Sequence, residues 1–335
     1  MGAEGSPPTG LQIEPHVFDL LACPRDYEAM RLENNQFICP REHHYPVIEG
    51  VPIFLLSEVE QTHIEGARAL LVAQSGDASG LARFEIIPGK IDPFVQNAIG
   101  ATNGGLYQHL VGNLTAYPIP QLRLPQGDGK LFLEVGCNWG RWCIAAARSG
   151  YRPIGIDPSL KSIRAANRVA SQLGIHASYL VADSRHLPFR ENAFDQVFSY
   201  SVLQHLDKDH ARASLCEMKR VLRQHGSALV QMANTYGLRC LYHQVRRGFR
   251  ATKDFEVRYW RPQELKEAFT SAIGPTQLSA DGYFSLNVQL SDLGFMPGRY
   301  RALVRTSDAL RRMSDRVPLL KKLADSVYLS AERMD

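Results

Sequence analysis

The segment LFLEVGCNWGRW, residues 131–142, constrains this chain more than any other. A largely apolar strand runs into a glycine, a short loop and a second glycine, and a helical pattern follows at once. A glycine just past a buried strand lets the backbone pass close to a ligand where a Cβ would collide. The free N–H groups of the helix start then face the same spot. From Lys130 onward strand and helix patterns alternate. Strands are read at 130–135, 152–156, 178–182, 196–201 and 227–232, and helices at about 140–149, 160–173, 208–222 and 262–272. Two more strands are expected at TQLSAD and YFSLNVQ. Such alternation predicts an α/β fold, a doubly wound sheet of seven strands with helices on both faces.

Acidic residues mark the ends of three successive strands. Glu134 closes the first, Asp157 the second, and Asp183 follows the third. An acid at Asp157 can accept from the two vicinal hydroxyls of a ribose, and one at Asp183 from an exocyclic adenine amine. Each alone reads as a cap or turn residue. Together they converge on the crevice where open α/β sheets bind ligands. A dinucleotide site would carry G-x-G-x-x-G. Here the loop is Gly136-x-x-x-Gly140, with Asn138 where another glycine would fall and bulky Trp139 beside it. That loop suits a cofactor without a pyrophosphate.

The ordered set Glu134-Val135-Gly136-Cys137-Asn138-Trp139-Gly140, Asp157-Pro158, Asp183-Ser184 with Leu187-Pro188-Phe189, and Phe194-Asp195 running on to Tyr200, Ser201 and His205 resembles the motif series of class I S-adenosylmethionine-dependent methyltransferases. It is most similar to the broad group, methyltransferase type 11, that includes the ubiquinone and menaquinone methyltransferases. The resemblance covers about residues 129–290. It implies a Rossmann-like domain in which the glycine loop faces the methionine part of S-adenosylmethionine, Asp157 holds the ribose and Asp183 the adenine amine. Tyr200 to His205 would flank the methyl donor and the acceptor. Many members have glycine at the place of Asn138, and Asn tolerates the left-handed backbone angles this requires. Methyl transfer needs mainly in-line placement of a nucleophile, with a base helping a hydroxyl or carbon acid. His205 is the candidate base, against a purely structural role. Tyr107, Arg258, Tyr259 and Trp260 are the candidate acceptor contacts, on flanking segments 100–122 and 236–262 that can form a lid.

Ahead of this domain, residues 17–57 read as a unit of short strands, after a loose Gly/Pro-rich tail over 1–16. Cys23-Pro24-Arg25-Asp26 followed by Cys39-Pro40-Arg41-Glu42-His43 looks like half of a zinc ribbon, offering Cys23, Cys39 and His43 with Asp26 where the second knuckle ligand would sit. With Tyr45-Pro46-Val47 and Gly50-Val51-Pro52 the unit is similar to the Trm112-like family, which activates methyltransferases and often lacks the metal. Either zinc on Cys23, Asp26, Cys39 and His43 or a metal-free ribbon held by its core is compatible with this pattern. Residues 58–128 read as a helical linker or lid, and 296–335 as a helical extension to a domain over 129–295. A ribbon ahead of such a domain also resembles a bacterial ribosomal RNA guanine methyltransferase family. Three readings therefore stand: transfer to a small-molecule, lipid or sugar acceptor, transfer to RNA, or a non-catalytic cofactor- or partner-binding module.

Charge narrows these little. The net charge is +4 over 335 residues, but seven basic residues between Arg239 and Arg261 face only Asp254 and Glu256. Nine basic against five acidic residues follow from Gly298 onward. Such clusters favour an anionic substrate or surface, or are merely solvated helix faces. No apolar run is long enough to span a membrane, and no secretion signal opens the chain. Its formal Met-Gly-x-x-x-Ser start fits N-myristoylation only by pattern. Six scattered cysteines make no disulfide framework, and Cys137, Cys143, Cys216 and Cys240 read as reduced core thiols of a cytosolic protein.

Overall fold

The computed structural model describes residues 10–284 and 288–334. A single turn of helix, α1 (Pro15–Phe18), leads into four short strands, β1 (Arg31–Glu33), β2 (Gln36–Ile38), β3 (His44–Ile48) and β4 (Val51–Pro52), paired antiparallel in that order. The β1–β2 hairpin turns through Asn34 and Asn35, both at positive φ (47° and 62°), which asparagine tolerates better than other side chains. Helices α2 (Ile64–Ser75) and α3 (Pro93–Thr102) follow, then a 3₁₀ turn at Gly105–Leu110.

The alternating region forms β5 (Leu131–Val135), α4 (Arg141–Arg148), β6 (Arg152–Asp157), α5 (Leu160–Gln172), β7 (Ser178–Val181), β8 (Phe194–Tyr200), α6 (Lys208–Val221) and β9 (Leu222–Ala233). Then come α7 (Leu238–Arg246), α8 (Pro262–Ala272), β10 (Thr276–Gly282), α9 (Gly298–Ser314), α10 (Pro318–Leu323) and β11 (Ser326–Glu332). The seven strands lie in the order β10-β11-β9-β8-β5-β6-β7. All five residues of β5 are buried, as a central parallel strand demands. The chain winds outward from β5 to β7 and returns to β8 on the other side of β5. That reversal opens a crevice at the carboxyl ends of β5 and β8. On α5, Ser159 Oγ accepts the Ser162 N–H, and Leu160, Ile163, Ala166, Val169 and Ala170 form the buried stripe.

The seventh strand corrects the sequence reading. It is not YFSLNVQ, of which residues 285–287 lie outside those described and Tyr283, Phe284, Val288 and Gln289 are not in a strand. It is β11, from the tract read as purely helical, which inserts antiparallel between β9 and β10. Its partner in β9 lies about a hundred residues upstream, from Ser326↔Ala233 to Glu332↔Ser227, a pairing that no local pattern announces. Cys216 is also corrected: it is exposed on α6, whereas Cys137, Cys143 and Cys240 are buried thiols.

The small N-terminal sheet shares a core with the large one. Phe37, Tyr45 and Phe54 join one buried cluster with Leu187 and Phe189. Phe54 N–H donates to Val181 O (2.8 Å), so the segment after β4 covers the β7 edge.

Candidate active site

The glycine loop is shaped by what its glycines exclude. Gly136 has φ +80°, and a Cβ there would fall deep inside the Val202 side chain. Gly140, also at +80°, would place a Cβ 2.5 Å from the Tyr179 hydroxyl. Between them Asn138 takes φ +47°, and its Oδ1 accepts the Trp139 N–H (2.9 Å). Gly136→Ala combines a steric clash with left-handed strain and is expected to lower unfolding free energy by about 2–4 kcal/mol. Adding Val202→Ala should return the clash share and leave the φ share, which chemical denaturation of both variants separates.

Glu134 is buried, and its Oε2 accepts the Cys143 N–H (2.7 Å) in the first turn of α4. Burial pushes its carboxyl up to about 8. Asp157 accepts the N–H groups of Asn138 (3.0 Å) and Ser159 (2.9 Å), one on each carboxylate oxygen. Burial raises it to about 6 against the pull of those two donors. Each oxygen keeps a lone pair for a further donor. Asp183 is already paired: Arg185 grips its carboxylate through Nε (3.0 Å) and Nη2 (2.6 Å) and donates to Glu60 O as well. Ser184 exchanges a hydrogen bond with Ser214 (2.8 Å).

Beyond β8 the chain bends sharply. Ser201 sits at φ +62°, a conformation unusual for a residue with a side chain. Gln204 holds it, donating to Ser201 Oγ (2.8 Å) and accepting the Ala233 N–H (2.8 Å). Tyr200 donates its hydroxyl to Asp281 (2.7 Å). His205 Nδ1 donates to Phe255 O (2.7 Å), which leaves the lone pair on Nε2, and its ring stacks on Phe255 at 4.1 Å. Burial lowers its imidazolium to about 4, so the ring is neutral at pH 7. His63 caps α2 and meets the same Phe255 ring edge-on at 4.5 Å.

One cavity of about 660 Å³ gathers these groups. Glu134, Gly136, Cys137, Asn138, Asp157, Pro158, Asp183, Ser184, Tyr200, Ser201 and His205 all line it, and Gly140 stands behind the loop against Tyr179. The four expected acceptor contacts do not line it. Tyr107 is fully buried in an apolar cluster with Val95, Ile99 and Trp139. Arg258 turns back to the His205 carbonyl (2.6 Å), Tyr259 lies under Arg247, and Trp260 is core, its backbone bridged to Asn234. The residues of that segment that reach the cavity are Phe255 and Val257. Alternation along FEVRYW would have separated these from Glu256 and Arg258. Gln61–Glu65, Arg141 and Trp142 were also missed. Arg141 is buried at the start of α4, and its Nε and Nη2 find no hydrogen-bond partner among the described residues.

A second cluster lies in the N-terminal unit. One donor atom from each of Cys23, Asp26, Cys39 and His43 lies within 4.8 Å of the other three. His43 Nδ1 stands 3.4 Å from Cys23 Sγ, 3.3 Å from Cys39 Sγ and 3.1 Å from Asp26 Oδ2. Tetrahedral zinc with bonds of about 2.0–2.3 Å has ligand–ligand edges of about 3.3–3.8 Å. The donor set and its spacing fit that ion.

Residues 132–226 match the protein family described as "Methyltransferase domain". The chain carries a class I S-adenosylmethionine-dependent methyltransferase domain. The chain is 28% identical over 158 residues to "Ubiquinone biosynthesis O-methyltransferase" of Brucella ovis, covering 43% of this chain and 60% of the relative. The protein of the same name from Brucella anthropi is 30% identical over 154 residues, covering 42% and 58%. The chain thus spans about 60% of the length of the curated relatives it matches. Among solved structures, magnesium protoporphyrin IX methyltransferase of Synechocystis PCC 6803 with bound S-adenosylhomocysteine is similar at TM-score 0.42 and 16% identity, covering 63% of this chain and 76% of that one. The methyltransferase domain supplies the glycine loop, Asp157 and the strand-end crevice. No described helix is long and apolar enough to cross a membrane.

Proposed function

We propose that the chain transfers the methyl group of S-adenosylmethionine to a low-molecular-weight acceptor. The carrying observation is the single cavity in which the glycine loop and Asp157 meet an apolar wall of Trp142, Phe255 and Val257. Arg141 lines the same cavity, and its Nε and Nη2, which have no hydrogen-bond partner among the described residues, make it the group that fits the carboxylate of the cofactor's amino-acid end. Asp157 would accept from the ribose hydroxyls, while Asp183 and Ser184 would border the adenine. Tyr200 and Ser201 would border the methionine part. When bound, the cofactor supplies an electrophilic sulfonium methyl. The protein's part is to hold the acceptor in line with it and to exclude water with the Phe255 wall. The Brucella relatives' name supports a hydroxyl-bearing acceptor.

For such an acceptor, His205 Nε2 is the proposed proton acceptor. With its imidazolium near 4, the gain should be about tenfold, below the 10²–10⁴ of a well-matched base. His205→Ala is expected to lower kcat by about that factor and to raise the acceptor KM. His205→Gln, which can still donate to Phe255 O, should restore KM and not kcat. Full recovery of kcat in the Gln variant would leave His205 a positioning residue only.

The reading is tested by calorimetric titration with S-adenosylhomocysteine, with NAD as control, followed by transfer of labelled methyl to quinol, lipid, sugar and RNA acceptors. Label in RNA alone would replace the small-molecule reading. Cofactor binding without transfer to any acceptor would point to a non-catalytic module.

A further inference from the structure

Helix α7 is turned inside out. Leu238, Leu241, Tyr242 and Val245 recur at i, i+3, i+4 and i+7, with Phe249 following one turn on, and all five are 43–65% exposed. The face toward the protein carries instead Cys240, bonded to Asp325, with Gln244, which donates to Thr235 O, and Arg247, which donates to Val257 O. A surface helix ordinarily buries its apolar stripe and shows its polar face. A contiguous exposed stripe marks an interaction surface.

Charge selects the partner. From Tyr236 to Arg250 the chain has four arginines, Arg239, Arg246, Arg247 and Arg250, and no acid. Arg246 is exposed beside the stripe, while Arg250 shares its charge with Glu256. The same composition recurs next door. On and before α10, Val317, Leu319 and Leu323 are exposed among Arg316, Lys321 and Lys322. The two elements share an edge: Asn234 donates to Lys322 O and Ala324 O, and Asp325 accepts the Arg239 and Cys240 N–H groups at the start of α7.

We propose that α7, with α10 beside it, docks the protein on an anionic lipid surface. An apolar stripe flanked by cations seats its side chains at the headgroup boundary while its guanidinium groups meet phosphates. A second copy of the chain packed two-fold on this face would set arginine against arginine. RNA would take the cations but leave Leu238, Leu241 and Val245 in water. The Arg247 bond to Val257 O ties the docked helix to the wall of the cavity, so an acceptor dissolved in the bilayer would be delivered at the Phe255 mouth. That delivery rests on the methyl-transfer reading. Docking does not, since vesicle binding needs no turnover, and the two fail separately.

The test is flotation of the full chain with vesicles of phosphatidylcholine alone or with about one-third phosphatidylglycerol. Binding is expected on the anionic vesicles, weakening as salt rises. Each cation is expected to contribute about fivefold, so the charge reversal Arg246→Glu should weaken binding roughly 25-fold. Leu241→Glu with Val245→Glu should abolish it, with the thermal midpoint and S-adenosylhomocysteine affinity unchanged because both positions are exposed. Absence of binding to anionic vesicles, or binding indifferent to the Leu241/Val245 change, would overturn the proposal. So would a dimer that this double variant splits in sedimentation velocity, or single-stranded RNA binding that Arg246→Glu abolishes while vesicles are ignored.

Discussion

Asp157→Ala is expected to weaken S-adenosylhomocysteine binding by about 10³-fold, the largest effect of any single side chain in the cavity. Two hydrogen bonds to an ionised acceptor contribute about 1.5–3 kcal/mol each, and the variant loses both toward the ribose. It also strands the Asn138 and Ser159 N–H groups that now shape the loop. The ionisation of Asp157 adds a pH signature. Burial raises its pKa to about 6 in the free protein, so the carboxyl is half protonated at pH 6 and mostly protonated at pH 5. Hydroxyl donors prefer the carboxylate, so affinity should be full at pH 7.5 and about tenfold weaker at pH 5. An unperturbed aspartate would show almost none of this decline. Asp157→Asn keeps an acceptor oxygen and loses the titration, so its weaker binding should be flat over the same range. Calorimetry on the three proteins at both pH values reads all of this. An Ala variant that binds like wild type, or a pH slope surviving in the Asn variant, would remove Asp157 from the site.

What the sequence disclosed here was what is local. Gly136, Asn138 and Asp157 announce themselves because a strand end, a tight turn and a helix start lie within a few residues of one another. The Asn138 departure from glycine was absorbed as left-handed geometry allows, at φ +47°. What stayed hidden depends on chain segments far apart. Val202, which makes Gly136 obligatory, is 66 positions away, and β11 finds its place only by pairing with β9. Aromatic and cationic residues over 258–260 looked chemical and are structural: Trp260 fills the core and Arg258 ties down the His205 loop. The wall they seemed to offer belongs to Phe255, clamped between His63 and His205 from two other elements. Asp183, legible as an acid at a strand end, gave no sign that Arg185 two residues on would fold back onto it.

Zinc on the N-terminal quartet is the second large effect expected. Two cysteine sulfurs, an imidazole and a carboxylate already stand at tetrahedral spacing, and Asp26 and the two cysteines are nearly or fully buried. Such a cluster is costly to keep without an ion, because burial disfavours every charge it would carry. Protein purified without chelators is expected to hold about one zinc per chain by elemental analysis, and Cys39→Ser should hold less than a tenth of that. At free zinc roughly a thousandfold above Kd the ion contributes about 4 kcal/mol, so chelation should lower the thermal midpoint by about 10 °C. Because Phe37, Tyr45 and Phe54 share a core with Leu187 and Phe189, the loss should reach the Asp183 end of the cofactor cavity and weaken S-adenosylhomocysteine binding as well. Asp26→Cys would complete a three-thiolate, one-imidazole set and should bind zinc more tightly than the natural quartet. Metal-free wild-type protein beside a zinc-loaded Asp26→Cys variant would show instead that the aspartate has switched the site off, leaving the aromatic core alone to hold the ribbon together.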